Sequence, residues 1–311
     1  MPTHHHLEAD PRTVAWGHWD ATVEPVLYVE SGDTVTIDTL SGGPDDMPPG
    51  GPTLPGHADV HAQKKRDPGP HFLTGPVHVA GAEPGDGLEV EILDITLRED
   101  VGWNVQLPLW GTLPEDFPHT RRIHIPIDRA AMTAAMPWGG TLALKPFFGC
   151  MGVAPPPNWG RCSSVEPRAF GGNMDNKELV TGVTVTFPVF NEGALFSAGD
   201  GHAVQGDGEV CVSALETSLT GTFRLTVRKG AGLKVPRAES ATELITMAFD
   251  TDLDDAAKDA LREMIALIGE RAGLAPADAY TLCSLAADMR VTQLVDLNKG
   301  IHCVLPKAAL P

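Results

Sequence analysis

Basic side chains are scarce in this chain. It has 23 Lys and Arg against 41 Asp and Glu in 311 residues, a formal net charge of −18. Such a balance argues against nucleic acid and against an anionic membrane surface as partners, because both need a basic footprint. Long apolar runs are missing too. Nothing approaches the roughly 20 residues of a membrane-spanning helix, and Met1-Pro2-Thr3-His4-His5-His6 has no apolar core of a secretory signal. Only five cysteines occur, dispersed and odd in number, with no Cys-x-x-Cys pair. Reduced thiols in a cytoplasmic protein are the expectation.

Glycine (33) and proline (27) are abundant, and the apolar fraction is 42%. Together they favour many short strands and turns around a sizeable core. Alternating stretches at 34–40, 88–95, 183–189 and 223–228 read as half-buried strands. Glu30-Ser31-Gly32-Asp33 and Glu83-Pro84-Gly85-Asp86 each precede one of them, and Gly206-Asp207-Gly208-Glu209 partly resembles the same turn. The repeated turn-plus-strand unit predicts a mainly β fold with a β-sandwich or jelly-roll-like core. After residue 240 the character changes. A strand at 243–248 precedes a helix opening near Thr251 with Asp252, Asp254 and Asp255 in its first turn and ending at Gly273. Pro276 opens a second helix, and strands follow at 289–295 and 301–305. The expected division is 1–240 as a β-sandwich core and 241–311 as a C-terminal α+β elaboration packed on it. The elaboration's apolar content makes a homodimer or higher homo-oligomer the expected assembly.

Residues 41–70, rich in Gly and Pro, break the pattern. A loop this long suits a lid or binding loop, and His57 and His61 in it are expected at the surface. The segment 101–170 reads as irregular, apart from a strand around 121–127.

The polar chemistry concentrates elsewhere. Gly199 to Glu216 carries Asp200, His202, Gln205, Asp207, Glu209 and Glu216 among four glycines. Asp200 and His202 are two apart, so an extended backbone projects both from one face. A carboxylate and an imidazole so placed suit a divalent ion, and Glu209 then suits a general base. The plainer reading is a glycine-rich turn with solvated acids. Gly171-Gly172-Asn173-Met174-Asp175 is a second dense stretch. Asn173 offers a donor and an acceptor to a primary amide, or else begins an Asx-turn. Asp94, at the end of an apolar strand, is a ligand or a strand-end cap. Cys150 sits among apolar residues and reads as a structural thiol rather than a nucleophile.

These segments resemble the acetamidase/formamidase family. Thr74-Gly75-Pro76-Val77 with Gly81 to Asp86, Gly149-Cys150-Met151-Gly152-Val153-Ala154-Pro155, Gly171 to Asp175, Gly193 to Glu209 and Asp288 to Asp296 carry the likeness, which spans roughly residues 14–306. The resemblance implies a cytoplasmic hydrolase that releases ammonia from short aliphatic amides, with a divalent metal, zinc or a similar ion, in a polar pocket. On chemical grounds the expected metal ligands are His202, Asp200, Asp175 and Asp94. Glu209 is the expected base, Asn173 the group that orients the small amide substrate, and Glu216 a reserve base. The alternatives are a different or bulkier C–N substrate, a metal-free amidase with Cys150 as nucleophile, and a non-catalytic jelly-roll module that binds a small ligand.

Overall fold

In the computed structural model, which describes residues 2–311, two large sheets face each other across one apolar core. The chain is 39% strand and 15% helix. The nine-stranded sheet is laid edge to edge as His4–Leu7, Thr34–Asp38, Leu219–Arg228, Gly87–Leu97, Thr184–Pro188, Arg237–Glu239, Glu243–Asp250, Lys299–Pro306 and Asp288–Gln293. Its neighbours pair antiparallel except the first two strands. There His4, His5 and His6 form a parallel edge strand, their rings reaching Thr36, Asp33 and Asp38.

The opposing sheet has eleven strands. Val101–Gln106, Leu215–Glu216, Phe196–Val204 and Phe147–Gly152 follow one another in it and Gly171–Asn173 closes that edge, with Phe72–Val79 also paired to Phe196–Val204. The two inner faces meet through aromatic rings. Phe148 and Phe196 from the second sheet lie 5.5 and 5.6 Å, centroid to centroid, from Phe223 of the first. Each fully buried apolar side chain of this kind contributes roughly 1.5–3 kcal/mol.

The Glu-x-Gly-Asp turns are structurally alike. Asp33 Oδ2 accepts the Glu30 N–H at 3.1 Å and Asp86 Oδ2 accepts that of Glu83 at 2.9 Å. In both, the Asp N–H returns a 3.0 Å bond to the Glu carbonyl. Both turns feed strands of the nine-stranded sheet. Gly206–Glu209 lacks the returning carboxylate; its Asp207 pairs with Lys177 instead.

The C-terminal strands extend the nine-stranded sheet rather than starting another. Helix Leu253–Ala272 lays Ala256, Ala260, Met264, Leu267 and Ile268 against them. Asp252 caps that helix by accepting the Asp254 and Asp255 N–H groups, and Gly273 ends it at φ 67°. Helix Pro276–Ala286 follows.

Two expectations are corrected here. The 101–170 segment is a meander of short strands, among them Val101–Gln106 paired with Arg121–Asp128. Within 41–70, helix His57–Gln63 stacks His57 and His61 at a centroid distance of 4.5 Å. Both rings bond the Gly42 carbonyl, and His57 is fully buried beside Phe72 rather than exposed.

Candidate active site

The strand Phe196–Val204 runs through the middle of the eleven-stranded sheet and carries Asp200 and His202; His202 pairs with Phe147 and packs on its ring, on the face opposite to the core-facing Phe148. Gly199 and Gly201, before and between them, are part of the strand, not a turn. Their absent side chains let neighbouring backbone come close: a Cβ at Gly199 would lie 1.9 Å from the Phe72 carbonyl oxygen. Asp200 sits at φ 56°, so the strand is locally kinked, and its Oδ2 comes within 3.4 Å of His202 Nε2. Glu216, on the antiparallel neighbour, pairs in register with His202 and places Oε1 3.2 Å from the same nitrogen. The Ala214 N–H holds that Oε1 at 2.8 Å.

On the other side stands Asp175, just past Gly171–Asn173, with Oδ1 3.8 Å from His202 Nδ1. Glu209 and Asp296 complete the group. Asp175, Glu209 and Asp296 bring one oxygen each within 4.8 Å of one another; so do the atoms of Asp175, Asp200 and His202, and of His202, Glu209 and Glu216. None of these six residues is more than 7% exposed. Five carboxylates and one imidazole thus share a closed nest. At the rim His71 brings Nε2 within 3.8 Å of Asp200 Oδ1, its Nδ1 bonded to Ser164.

Gly149 makes room for this nest. A Cβ there would lie 2.4 Å from both Asp175 Oδ1 and Asp200 Oδ2 and 2.9 Å from the His202 ring. Backbone strain gathers at the same place: Asp175, Asp200 and Glu209 all have left-handed φ, at 48°, 56° and 42°. Each such non-glycine residue costs on the order of 1–3 kcal/mol, and such strain clusters where function demands a geometry.

The electrostatics follow from burial and crowding. Burial drives Glu209 and Asp296 well above the usual carboxylate range, and Asp175 pushes both further. Glu216 rises to about 7, burial outweighing the attraction of His202. Asp175 is raised by burial against the pull of His202. Asp200 is the exception: burial opposes its charge, but His71 and His202 outweigh burial and hold it below the usual range. His202 is itself raised well above an ordinary histidine, because Glu216 and Asp200 overcome its burial.

Among the described residues no donor reaches either oxygen of Asp175 or Oδ2 of Asp296. Buried carboxylate oxygens without donors are costly unless a proton or a cation occupies the space between them. The nest therefore fits a divalent ion. Its donors are hard oxygens with one borderline nitrogen, the set that zinc and similar ions accept.

Of the expected residues, the fold brings together Asp175, Asp200, His202, Glu209 and Glu216. Asp94 does not join them. It lies within strand Gly87–Leu97 of the opposite sheet, paired with Thr222 and exposed to solvent, since Ile92 and Ile95 take the inward positions. Asn173 is buried beside the nest, where its Oδ1 accepts the Cys150 thiol at 3.1 Å. Cys150 has an imidazole neighbour that its sequence context does not imply, because it groups with His71 and Asp200 within 4.8 Å. Even so, burial and the charges of Asp200 and Asp175 push its thiol well up, away from a thiolate. Sequence reasoning missed His71 and Asp296. His71 opens an ordinary-looking stretch, and Asp296 closes a segment that carries the family likeness without itself being assigned a role; only contacts between residues distant in sequence bring them in.

The fold is thus a β-sandwich whose candidate site is a strained, buried nest of carboxylates around one imidazole. The model of the Acetamidase/Formamidase family matches residues 4–159 and 158–310, so the chain belongs to that family. Among solved structures it superposes on a predicted acetamidase/formamidase from Thermoanaerobacter tengcongensis with a TM-score of 0.87. The identity is 28%, covering 99% of this chain and 97% of that one. An acetamidase from Bacillus halodurans gives a TM-score of 0.84 at 30% identity over 97% of each chain. A formamidase from Methylophilus methylotrophus is 30% identical over 191 residues, 45% of this chain and 47% of that enzyme. The match thus spans about half the length of that curated relative.

Proposed function

We propose that this protein hydrolyses short linear amides of the formamide and acetamide type to a carboxylate and ammonia. The observation that carries the reading is the nest itself: five buried carboxylates around His202, with both Asp175 oxygens lacking donors among the described residues. Family membership and the names of the relatives support the substrate class. We further propose that His202, Asp200 and Asp175 hold a divalent ion, zinc or a similar one, which when bound polarises a carbonyl and acidifies water.

An amide is a poor electrophile with a poor leaving group, so its hydrolysis needs proton transfer and charge stabilisation together. Glu209 sits among the acids on a strained backbone, adjacent to exposed Val210. It takes the proton of the attacking water and returns it to the departing nitrogen. Asn173 has its carbonyl oxygen engaged by Cys150, so its NH2 group is what remains to orient the substrate. Glu216, fixed by Ala214, steadies His202 and is the reserve base. The loop that bears Trp110 and Leu113 lies against Val210, where the Thr112 N–H meets the Val210 carbonyl at 2.9 Å. On this reading that loop is the element that limits substrate size.

Glu209→Gln tests the assignment through ammonia release and bound metal measured on one preparation. The expected outcome is a drop in kcat of roughly 100- to 10,000-fold, the typical share of general acid–base catalysis, with metal retained. Full activity with metal retained would remove Glu209 from the role.

A further inference from the structure

Gln205 lies one residue past the strand that carries His202 and is buried. Its Nε2 donates to the Asp175 carbonyl at 2.8 Å and approaches the Thr292 carbonyl at 3.4 Å. Both partners are backbone oxygens, which can only accept. The NH2 end of the amide must therefore face them, and this fixes which way the side chain points. Its Oε1 is then the atom that meets His202 Nδ1 at 2.9 Å. An amide oxygen cannot donate, so the proton of that bond belongs to Nδ1.

We infer that Gln205 is a positioning residue that keeps the proton on His202 Nδ1 and so presents Nε2, toward Asp200 Oδ2 and Glu216 Oε1, as the nitrogen that takes the ion. The inference rests on the metal reading above. The tie also spans the molecule: one amide joins the His202 strand, the Asp175 loop and, through Thr292, the C-terminal strand Asp288–Gln293. A competitor for the ring is already present, because Asp175 Oδ1 is 3.8 Å from Nδ1. Without Gln205 the ring's nearest acceptor on that side is a carboxylate needed as a ligand. Partners of this kind fix ring orientation and tautomer, and their loss weakens metal affinity roughly 10- to 100-fold.

The test uses the full-length protein, stripped with a chelator and reloaded with Co2+ alone, and reads proton NMR beside the Co2+ dissociation constant. Gln205→Met removes donor and acceptor. Gln205→Glu keeps an acceptor for Nδ1. The wild type is expected to show a hyperfine-shifted imidazole N–H resonance that disappears in D2O. Gln205→Met should lose it and bind Co2+ roughly 10- to 100-fold more weakly, whereas Gln205→Glu should retain it. A resonance and affinity unchanged in Gln205→Met would overturn the inference while leaving the metal site standing. No hyperfine-shifted resonance in the wild type at any Co2+ level would bring down the metal reading, and this inference with it.

Discussion

Gly149 is where the site is most sensitive to a single atom. Its missing side chain leaves the space over which Asp175 and Asp200 lean. Gly149→Ala places a methyl group 2.4 Å from both carboxylates, so they must move. Displacements near 1 Å cost on the order of 100-fold in rate when they disturb reacting geometry. The variant is expected to lose about that much in kcat/KM for formamide, measured by ammonia release. Normal activity would mean that the two carboxylates need not hold their positions. At this scale the sequence was legible where chemistry clustered along the chain: Asp200, His202, Glu209 and Glu216 lie within 17 residues and meet in space. It was not legible where strands 100 or more residues apart supply the partner. His71 and Asp296 carry no local pattern, and Asp94 had a suggestive one but faces solvent from the other sheet.

Local rules govern the elements, and they read well from sequence. Asp252, Gly273 and Pro276 delimit the two C-terminal helices as their residue types require. Replacing Asp252 with Ala leaves the Asp254 and Asp255 N–H groups without their acceptor. The expected loss is about 1 kcal/mol of unfolding free energy, read by denaturant titration, with amidase activity unchanged. The Glu-x-Gly-Asp turns were visible because their bonding is local, within four residues. The helix His57–Gln63 was hidden by its glycine- and proline-rich surroundings. Its stability comes from burying His57 and Val60 against Trp16 and Phe72, contacts made by residues distant in sequence. Val101–Gln106 escaped notice for a similar reason, since pairing with Arg121–Asp128 defines it more than its own alternation does.

At the scale of the whole molecule, the C-terminal portion is bound into the site it adjoins. It supplies Asp296, accepts from Gln205 through Thr292, and pairs Gln293 with Gly208. His302 belongs to this junction. It is fully buried, bonds Thr292 Oγ1 through Nδ1 at 2.8 Å, and among the described residues has no partner for Nε2. Burial lowers its pKa from 6.5 to about 4. Between those values the unfolded chain binds a proton that the folded chain refuses, so stability falls as pH drops through that window. The full loss from this group is roughly 3 kcal/mol. His302→Gln should flatten the dependence of unfolding free energy on pH between about 6.5 and 4, and an unchanged slope would assign the acid sensitivity elsewhere.

The central claim is that the buried acids and His202 gather a divalent ion that the hydrolysis of short amides requires. Ammonia release from formamide and acetamide, followed on one sample through chelation and stepwise return of Zn2+, tests it most directly. The expected result is activity lost with the chelator and restored as about one equivalent of metal returns. Undiminished ammonia release from protein shown by elemental analysis to hold no divalent metal would contradict it.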